Sequence, residues 1–182
     1  PSKGGIVLGV EADKALGQEG CRINIGDVTT VSAATVRGLK WGTRTVLQMA
    51  EQNKSNGGSL PKGNIVDSPE YGLRGFMMDC GRKFIPMDYL RSLVKTMAYY
   101  KMNTLQIHLN DNGFRQFFDG DWDKTQAAFR LECDTYPGLT ARDGSYTKKE
   151  FIDLQKLAEQ YGVDIIPEID VPAHTLAFTH YK

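Results

Sequence analysis

The densest group of chemistry-bearing side chains lies in Ile166-Pro-Glu-Ile-Asp-Val-Pro-Ala-His174. Glu168 and Asp170 are two residues apart, so on a strand their carboxylates project from one face. His174 follows in a turn punctuated by proline. A carboxylate beside a histidine fixes its tautomer and raises its pKa, which suits proton transfer. The same group also serves as a structural hydrogen-bond network at a strand end, and composition alone leaves both readings open. A second group is His108-Leu-Asn-Asp111-Asn-Gly-Phe-Arg115. Its Asn-Asp-Asn-Gly run is also ordinary turn chemistry. The third is Arg74-Gly75 with Asp79 and Arg82. Of these, Asp79 lies nearer the C-terminal end of its run. No HxH or HExxH pair fixes two metal ligands at once, and no GxGxxG or Walker loop follows a strand-like run. Neither a metal nor a nucleotide cofactor is expected.

Elements must hold these groups in place, and their pattern is strand–helix–strand–helix–strand. Arg74–Cys80 is an apolar run of strand length. A helix follows near Pro86, its face marked by Met87, Leu90, Leu93, Val94, Met97 and Ala98. Asn103–Leu109 reads as the second strand, with Leu105, Ile107 and Leu109 on one face and Thr104, Gln106 and His108 on the other. Residues 110–146 form one long polar connection, far beyond an ordinary βα loop. Thr147 and Glu150 make a capping box, Phe151, Leu154, Leu157, Ala158 and Tyr161 a buried stripe, and Gly162 a helix end. Val163–Asp170 is the third strand. Both candidate clusters thus fall at C-terminal ends of strands, where barrels and open α/β sheets place their ligands.

Upstream, residues 1–70 read as a small α/β domain. Strands are expected at Ile6–Val10, Cys21–Ile25 and Val28–Ser32, and a helix from Ala34 to Gln52. Gly38 and Gly42 weaken that helix by up to ~1 kcal/mol each relative to Ala, so they mark either close packing or a bend. Asn53–Gly63 is a loop and the natural boundary. Residues 71–182 then alternate strand and helix, which implies a parallel sheet. The polar second faces of the strands suit the mouth of a (β/α)8 barrel. A complete barrel needs about 250 residues, so only the first three β/α units are expected, with the barrel incomplete in this chain. The chain is accordingly read as a fragment.

Composition removes other classes. The 182 residues are 41% hydrophobic and 24% charged, with 22 basic against 22 acidic side chains. Globular usage, zero net charge and no basic stripe argue against disorder and against a general nucleic-acid binder. No apolar run reaches membrane-spanning length, and no basic-then-apolar leader opens the sequence. The three cysteines, Cys21, Cys80 and Cys133, show neither zinc nor dithiol spacing.

Three motifs in order carry a resemblance: Arg74-Gly-Phe-Met-Met-Asp79 with Gly81-Arg82-Lys83-Phe84, then Met102-Asn-Thr-Leu-Gln-Ile-His108-Leu-Asn-Asp111, then Ile166-Pro-Glu-Ile-Asp170-x-Pro-x-His174. Together they resemble glycoside hydrolase family 20, the β-N-acetylhexosaminidases. Glu19-Gly-Cys-Arg-Ile-Asn-Ile and Gly42-Thr-Arg-Thr-Val-Leu-Gln48 are similar to the small α/β domain preceding the barrel in that family. The resemblance implies a retaining exo-hydrolase acting on a glycan or glycoconjugate with terminal β-linked N-acetylhexosamine. The nucleophile would be the substrate's own acetamide oxygen, an exception to the two-carboxylate scheme. It implies an exported location, periplasmic, extracellular or lysosomal, and no cofactor. By the resemblance, Arg74 matches an arginine that binds the sugar's ring hydroxyls. Asp111 and His174 match a relay behind the general acid. The Asp-Glu pair that supplies the general acid in the family has no counterpart, since no Asp-Glu dipeptide occurs in the sequence.

The rival reading is a non-catalytic carbohydrate-binding or interaction module with a partial barrel. A doubly wound α/β domain binding a small ligand stands further off. An open barrel edge would also invite self-association with a second chain. The 182-residue chain by itself is expected not to hydrolyse a chromogenic β-N-acetylglucosaminide above a buffer blank. Turnover that disappears on replacing His174 or Asp111 would overturn that expectation.

Overall fold

The computed structural model describes residues 2–181, which form two compact units. One runs to Arg74 and includes Met97–Met102; the other holds Gly75–Thr96 and the chain from Asn103 onward. The first unit contains β1 (Ile6–Val10), β2 (Cys21–Ile25), β3 (Thr29–Ala33), α1 (Val36–Gln52) and β4 (Gly63–Asp67). Its sheet runs β1-β3-β2-β4, with β1 parallel to β3 and the other pairs antiparallel. Alternation decides which face of β2 is inside: Cys21, Ile23 and Ile25 are buried, Arg22 and Asn24 exposed. Val31, Ala33 and Val46 complete that core. Thr35 caps α1 by accepting the amide of Gly38. Close packing explains the helix glycines. A Cβ on Gly42 would stand 2.4 Å from Cγ1 of Val31 and 3.2 Å from Sγ of Cys21.

The strand expected at Val28–Ser32 begins one residue later, and the helix two residues later than expected. β4 lies outside the expected strands. It has only two apolar residues and draws its order from pairing along β2, with Ile65 opposite Ile23.

The second unit carries β5 (Gly75–Asp79), most of α2 (Met87–Tyr99), β6 (Thr104–His108), β7 (Asn110–Asn112), β8 (Ala127–Phe129), α3 (Lys148–Tyr161), β9 (Asp164–Glu168) and the short α4 (Leu176–Thr179). β5, β6 and β9 form a parallel three-stranded sheet in that order. The sheet is not closed, so this unit is mixed α/β without a complete barrel. Leu105 and Ile107 of β6 are fully buried, as are Leu90 and Val94 of α2 and Leu154 of α3. The capping box at the start of α3 forms, with Thr147 and Glu150 each accepting the other's backbone amide. Gly162 closes the helix in the left-handed region at φ 80°. No helix among the described residues is long and apolar enough to cross a membrane.

The long connection after β6 is not a bare loop. β7 and β8 pair as an antiparallel ribbon, Asp111 opposite Ala128. Polar β7 lacks the alternation that identifies a strand by itself, and its partner lies many residues away.

Arg130, just beyond β8, anchors this region and is 0% exposed. Its Nε donates to the carbonyl of Cys80 at 2.8 Å and Nη2 to that of Gly81 at 3.0 Å. Nη1 donates to the carbonyl of Gly144 at 2.8 Å, and both Nη groups reach the Asp143 carboxylate. All five guanidinium N–H groups are spent, two of them on the turn that follows β5. Arg130→Met should therefore leave buried carbonyls without donors and lower unfolding stability by about 2 kcal/mol or more. A urea midpoint unchanged from the parent protein would contradict this role.

Candidate functional site

The parallel register sets the site. Asp79, His108 and Glu168 are the last residues of β5, β6 and β9, and they are paired in one row across the sheet. Paired residues share a face, so an imidazole stands between two carboxylates at the C-terminal ends of the strands. His108 is 5% exposed. Its Nδ1 lies 2.6 Å from Oε1 of Glu168, and its Nε2 lies 2.7 Å from Oδ2 of Asp111. Gln106, one step back on the same face, donates to Glu168.

Asp111 is the centre of the cluster and is 1% exposed. Oδ1 accepts the amide of Asn112 at 2.6 Å and meets Nδ1 of His174 at 2.8 Å. Oδ2 meets His108 and Nη2 of Arg82, the latter at 2.8 Å. Burial by itself pushes the Asp111 carboxyl up. The donors from Asn112, His108 and His174 and the charge of Arg82 outweigh it and hold the group below the usual range. For His108, burial pulls downward and is overcome by hydrogen bonds to Asp111 and Glu168, so its pKa is raised. Glu168 is lowered, first by the Gln106 amide, against the opposing effect of burial.

Four lone-pair directions of Asp111 are taken by donors. His174 must therefore present Nδ1–H to it, which fixes the tautomer of the neutral ring with Nε2 as its acceptor. That Nε2 has no partner among the described residues, and the His174 ring lines the adjoining cavity. His174 itself sits at φ 58°, a left-handed conformation that few non-glycine residues adopt. Asn110 holds it there. The Asn110 side chain, fully buried, donates to the carbonyls of Asp170 (3.1 Å) and His174 (2.9 Å) and accepts the Asp170 amide (2.8 Å). On the other side, Gly81 lets the turn after β5 lie against β7: a Cβ there would be 2.8 Å from the amide nitrogen of Asp111.

Arg82 bridges two carboxylates, through Nη1 to Asp79 at 2.8 Å and through Nη2 to Asp111. It lines a cavity of about 490 Å³ with Asp111, His174, Phe114, Arg115 and Trp122. Arg74 is not in this cluster. It belongs to the first unit, where its guanidinium pairs with Glu19, donates to the carbonyls of Lys101 (2.7 Å) and Tyr71 (2.8 Å), and lies over the Trp41 ring. Two arginines share the cavity with Asp111 and His174, Arg82 and Arg115, and of these Arg82 is the one paired with Asp111. The physical signal was available: Arg82 follows the C-terminal end of its strand, whereas Arg74 precedes the N-terminal end. Asn110 was missed because an asparagine in a turn-like sequence carries no mark of burial. Asp79, His108 and Asp111 form one group close enough to suggest a cation, and His108, Glu168 and Asp170 a second. In both, the facing atoms of His108, Asp111, Glu168 and Asp79 are engaged with one another, Gln106 and Arg82, so each is an ion-pair network and no metal is assigned to it.

Both units resemble modules of known proteins. Residues 71–182 match the catalytic domain of glycosyl hydrolase family 20, and residues 1–68 match domain 2 of the same family. A β-hexosaminidase of Akkermansia muciniphila is 39% identical over 141 residues, covering 77% of this chain and 28% of that protein. One from Porphyromonas gingivalis is 29% identical, covering 97% of this chain and 23% of that protein. Among solved structures, a β-N-acetylhexosaminidase superposes with a TM-score of 0.80 at 28% identity, covering 100% of this chain and 39% of its own. A mutant Streptomyces plicatus β-hexosaminidase in complex with product (GlcNAc) superposes with a TM-score of 0.78 at 27% identity, covering 95% of this chain and 35% of its own. The chain thus spans about a quarter to two fifths of these four proteins. With both modules matched in the family's order along its whole length, the chain belongs to glycosyl hydrolase family 20.

Proposed function

We propose that the protein carrying this chain is a retaining exo-β-N-acetylhexosaminidase that works by substrate-assisted catalysis on a glycan or glycoconjugate with terminal N-acetylhexosamine. The observation that carries the reading is the saturated Asp111, which fixes His174 with Nε2 presented as an acceptor toward the cavity. A ring so held can contact a neighbouring carboxyl group and tune its pKa, while the acid's own proton stays available to the glycosidic oxygen. The acid itself, with its partner Asp, would come from the remainder of the polypeptide. It protonates the glycosidic oxygen as the acetamide oxygen attacks C1 and the leaving sugar departs as an alcohol. The same group, now a carboxylate, takes a proton from the water that opens the cyclic intermediate. Asp111 and His174 act in this scheme through the acid.

Arg82 has the better claim to the sugar's hydroxyls than Arg74. It is part-exposed at the cavity wall and anchored by two carboxylates, so its remaining donor directions are oriented. Glu19, Lys101 and Tyr71 hold Arg74 in place within its own unit. The homologous enzymes bear names that match the proposal, and one is a complex with GlcNAc.

In the full-length protein, His174→Ala should lower kcat by about 10²–10⁴-fold, the usual worth of assisted proton transfer. It should also displace the pH–rate profile. Arg82→Ala should lower kcat/KM with a visible rise in KM, because it removes charge-assisted hydrogen bonds to substrate. Arg74→Ala should leave KM within about twofold of the parent. Steady-state kinetics across pH separate the three. An unmoved pH profile with only KM raised in the His174 variant would make His174 a sugar ligand and refute the relay.

A further inference from the structure

The geometry points to His108 as a standing imidazolium clamped between Glu168 and Asp111, a positioning residue that extends the relay to Glu168–His108–Asp111–His174. This inference rests on the proposed relay for its catalytic consequence, although the charge of His108 is a property of the site alone.

Both ring nitrogens of His108 lie within 2.7 Å of a carboxylate oxygen. A neutral imidazole has one N–H and one lone pair. It would therefore set a lone pair against an anion at one of these contacts unless that carboxyl carried the proton. Asp111 cannot carry it, since Asn112, Arg82 and His174 already donate to both of its oxygens. Glu168, which also hydrogen-bonds Asp170, is the other carboxyl in contact with the ring, and the Gln106 amide and partial solvation both favour its ionised form. The proton is thereby left on His108.

The remaining charges around the ring are consistent with a cation. Oδ2 of Asp170 is 3.9 Å from Nδ1. Asp79 occupies the next position in the strand row and is paired with Arg82. Arg82 reaches the ring only through Asp111, and the His174 ring stands edge-on with centroids 5.8 Å apart. Four carboxylates thus surround the imidazole, Asp79 from β5, Asp111 from β7, Glu168 from β9 and Asp170 from the turn after β9, against one guanidinium. The raised pKa of His108 agrees in direction.

The consequence is electrostatic. A buried Asp111 that must stay ionised beside a proton-accepting His174 needs compensating charge, and His108 and Arg82 supply it from one side. With His108 neutral, Asp111 would draw the His174 proton more strongly or take a proton itself, and Nε2 would no longer be presented in one fixed state. The sign follows directly. A group whose folded-state pKa is raised keeps its charge below that pKa and loses it as pH rises through it, so His108 supports the relay up to an alkaline limit.

The test uses full-length protein labelled with ¹⁵N in its histidine rings, with the His108 signals assigned by their loss in His108→Asn. The expected result is that both His108 nitrogens keep imidazolium shifts at pH 7 and above, where an ordinary histidine is neutral. A neutral pattern at pH 7 overturns the proposal, whatever the activity. Kinetics provide the second arm. Glu168→Gln removes one anion and should move the alkaline limb of kcat to lower pH by about one unit or more, with KM nearly unchanged. His108→Asn should lower kcat at least tenfold, and adding Glu168→Gln to it should move the limb no further. A Glu168→Gln profile superimposable on the parent overturns the extended relay. Absence of any hexosaminidase activity in the parent defeats the proposed function instead, and leaves the spectroscopic result to stand by itself.

Discussion

One buried carboxylate organises the second unit. Asp111 has almost no contact with solvent and yet is placed to be ionised. Removing a charge from water is expensive, and a protein tolerates it only when hydrogen bonds and opposite charge replace the lost hydration. Here the replacement is complete: one backbone amide, two imidazoles and one guanidinium converge on two oxygens. Each donor comes from a different place along the chain. The turn after β5 brings Arg82, β6 brings His108, β7 supplies Asp111 and its neighbour's amide, and the loop after β9 brings His174. The site is therefore only as good as the agreement among those four segments.

That agreement has its own supports, which contribute no chemistry. Arg130 donates to the carbonyls of Cys80 and Gly81 and so fixes the turn that carries Arg82. Gly81 allows the same turn to touch the Asp111 backbone without a Cβ between them. Asn110 acts as a backbone substitute for a segment that has no ladder, and it holds His174 in a left-handed conformation. Buried polar side chains of this kind are stabilising only when fully satisfied. Each of these supports uses hydrogen bonds that would otherwise be missing from the loops.

The two arginines flanking β5 show how position along a strand separates two surroundings. Arg74, before the strand, satisfies carbonyls and Glu19 in the first unit. Arg82, after it, joins the cavity. They share a residue type and a motif, and the family resemblance gives the sugar contact to the earlier one. The rule that ligands gather at the C-terminal ends of parallel strands supports our proposal of the later one.

Local sequence determined the parts that depend on local physics. Of the α3 stripe, Phe151, Leu154 and Ala158 are buried, while Leu157 and Tyr161 are half-buried. The alternation in Cys21–Ile25, the Thr147–Glu150 capping box of α3 and its Gly162 terminus follow from periodicity and capping within a few residues and are found. So does the placement of Glu168, Asp170 and His174 at the end of one strand, and of His108 on the polar face of another. Tertiary structure decided the rest. β4 and the β7–β8 ribbon exist because a distant partner completes their hydrogen bonds, which a window of neighbouring residues does not contain. The row Asp79–His108–Glu168 depends on the register of three strands joined by long connections. The burial of Asp111, and with it the tautomer of His174, arises only when donors far apart in sequence meet on one carboxylate. Hydrogen bonding at that distance is a property of the packed molecule, because no single segment holds both donor and acceptor.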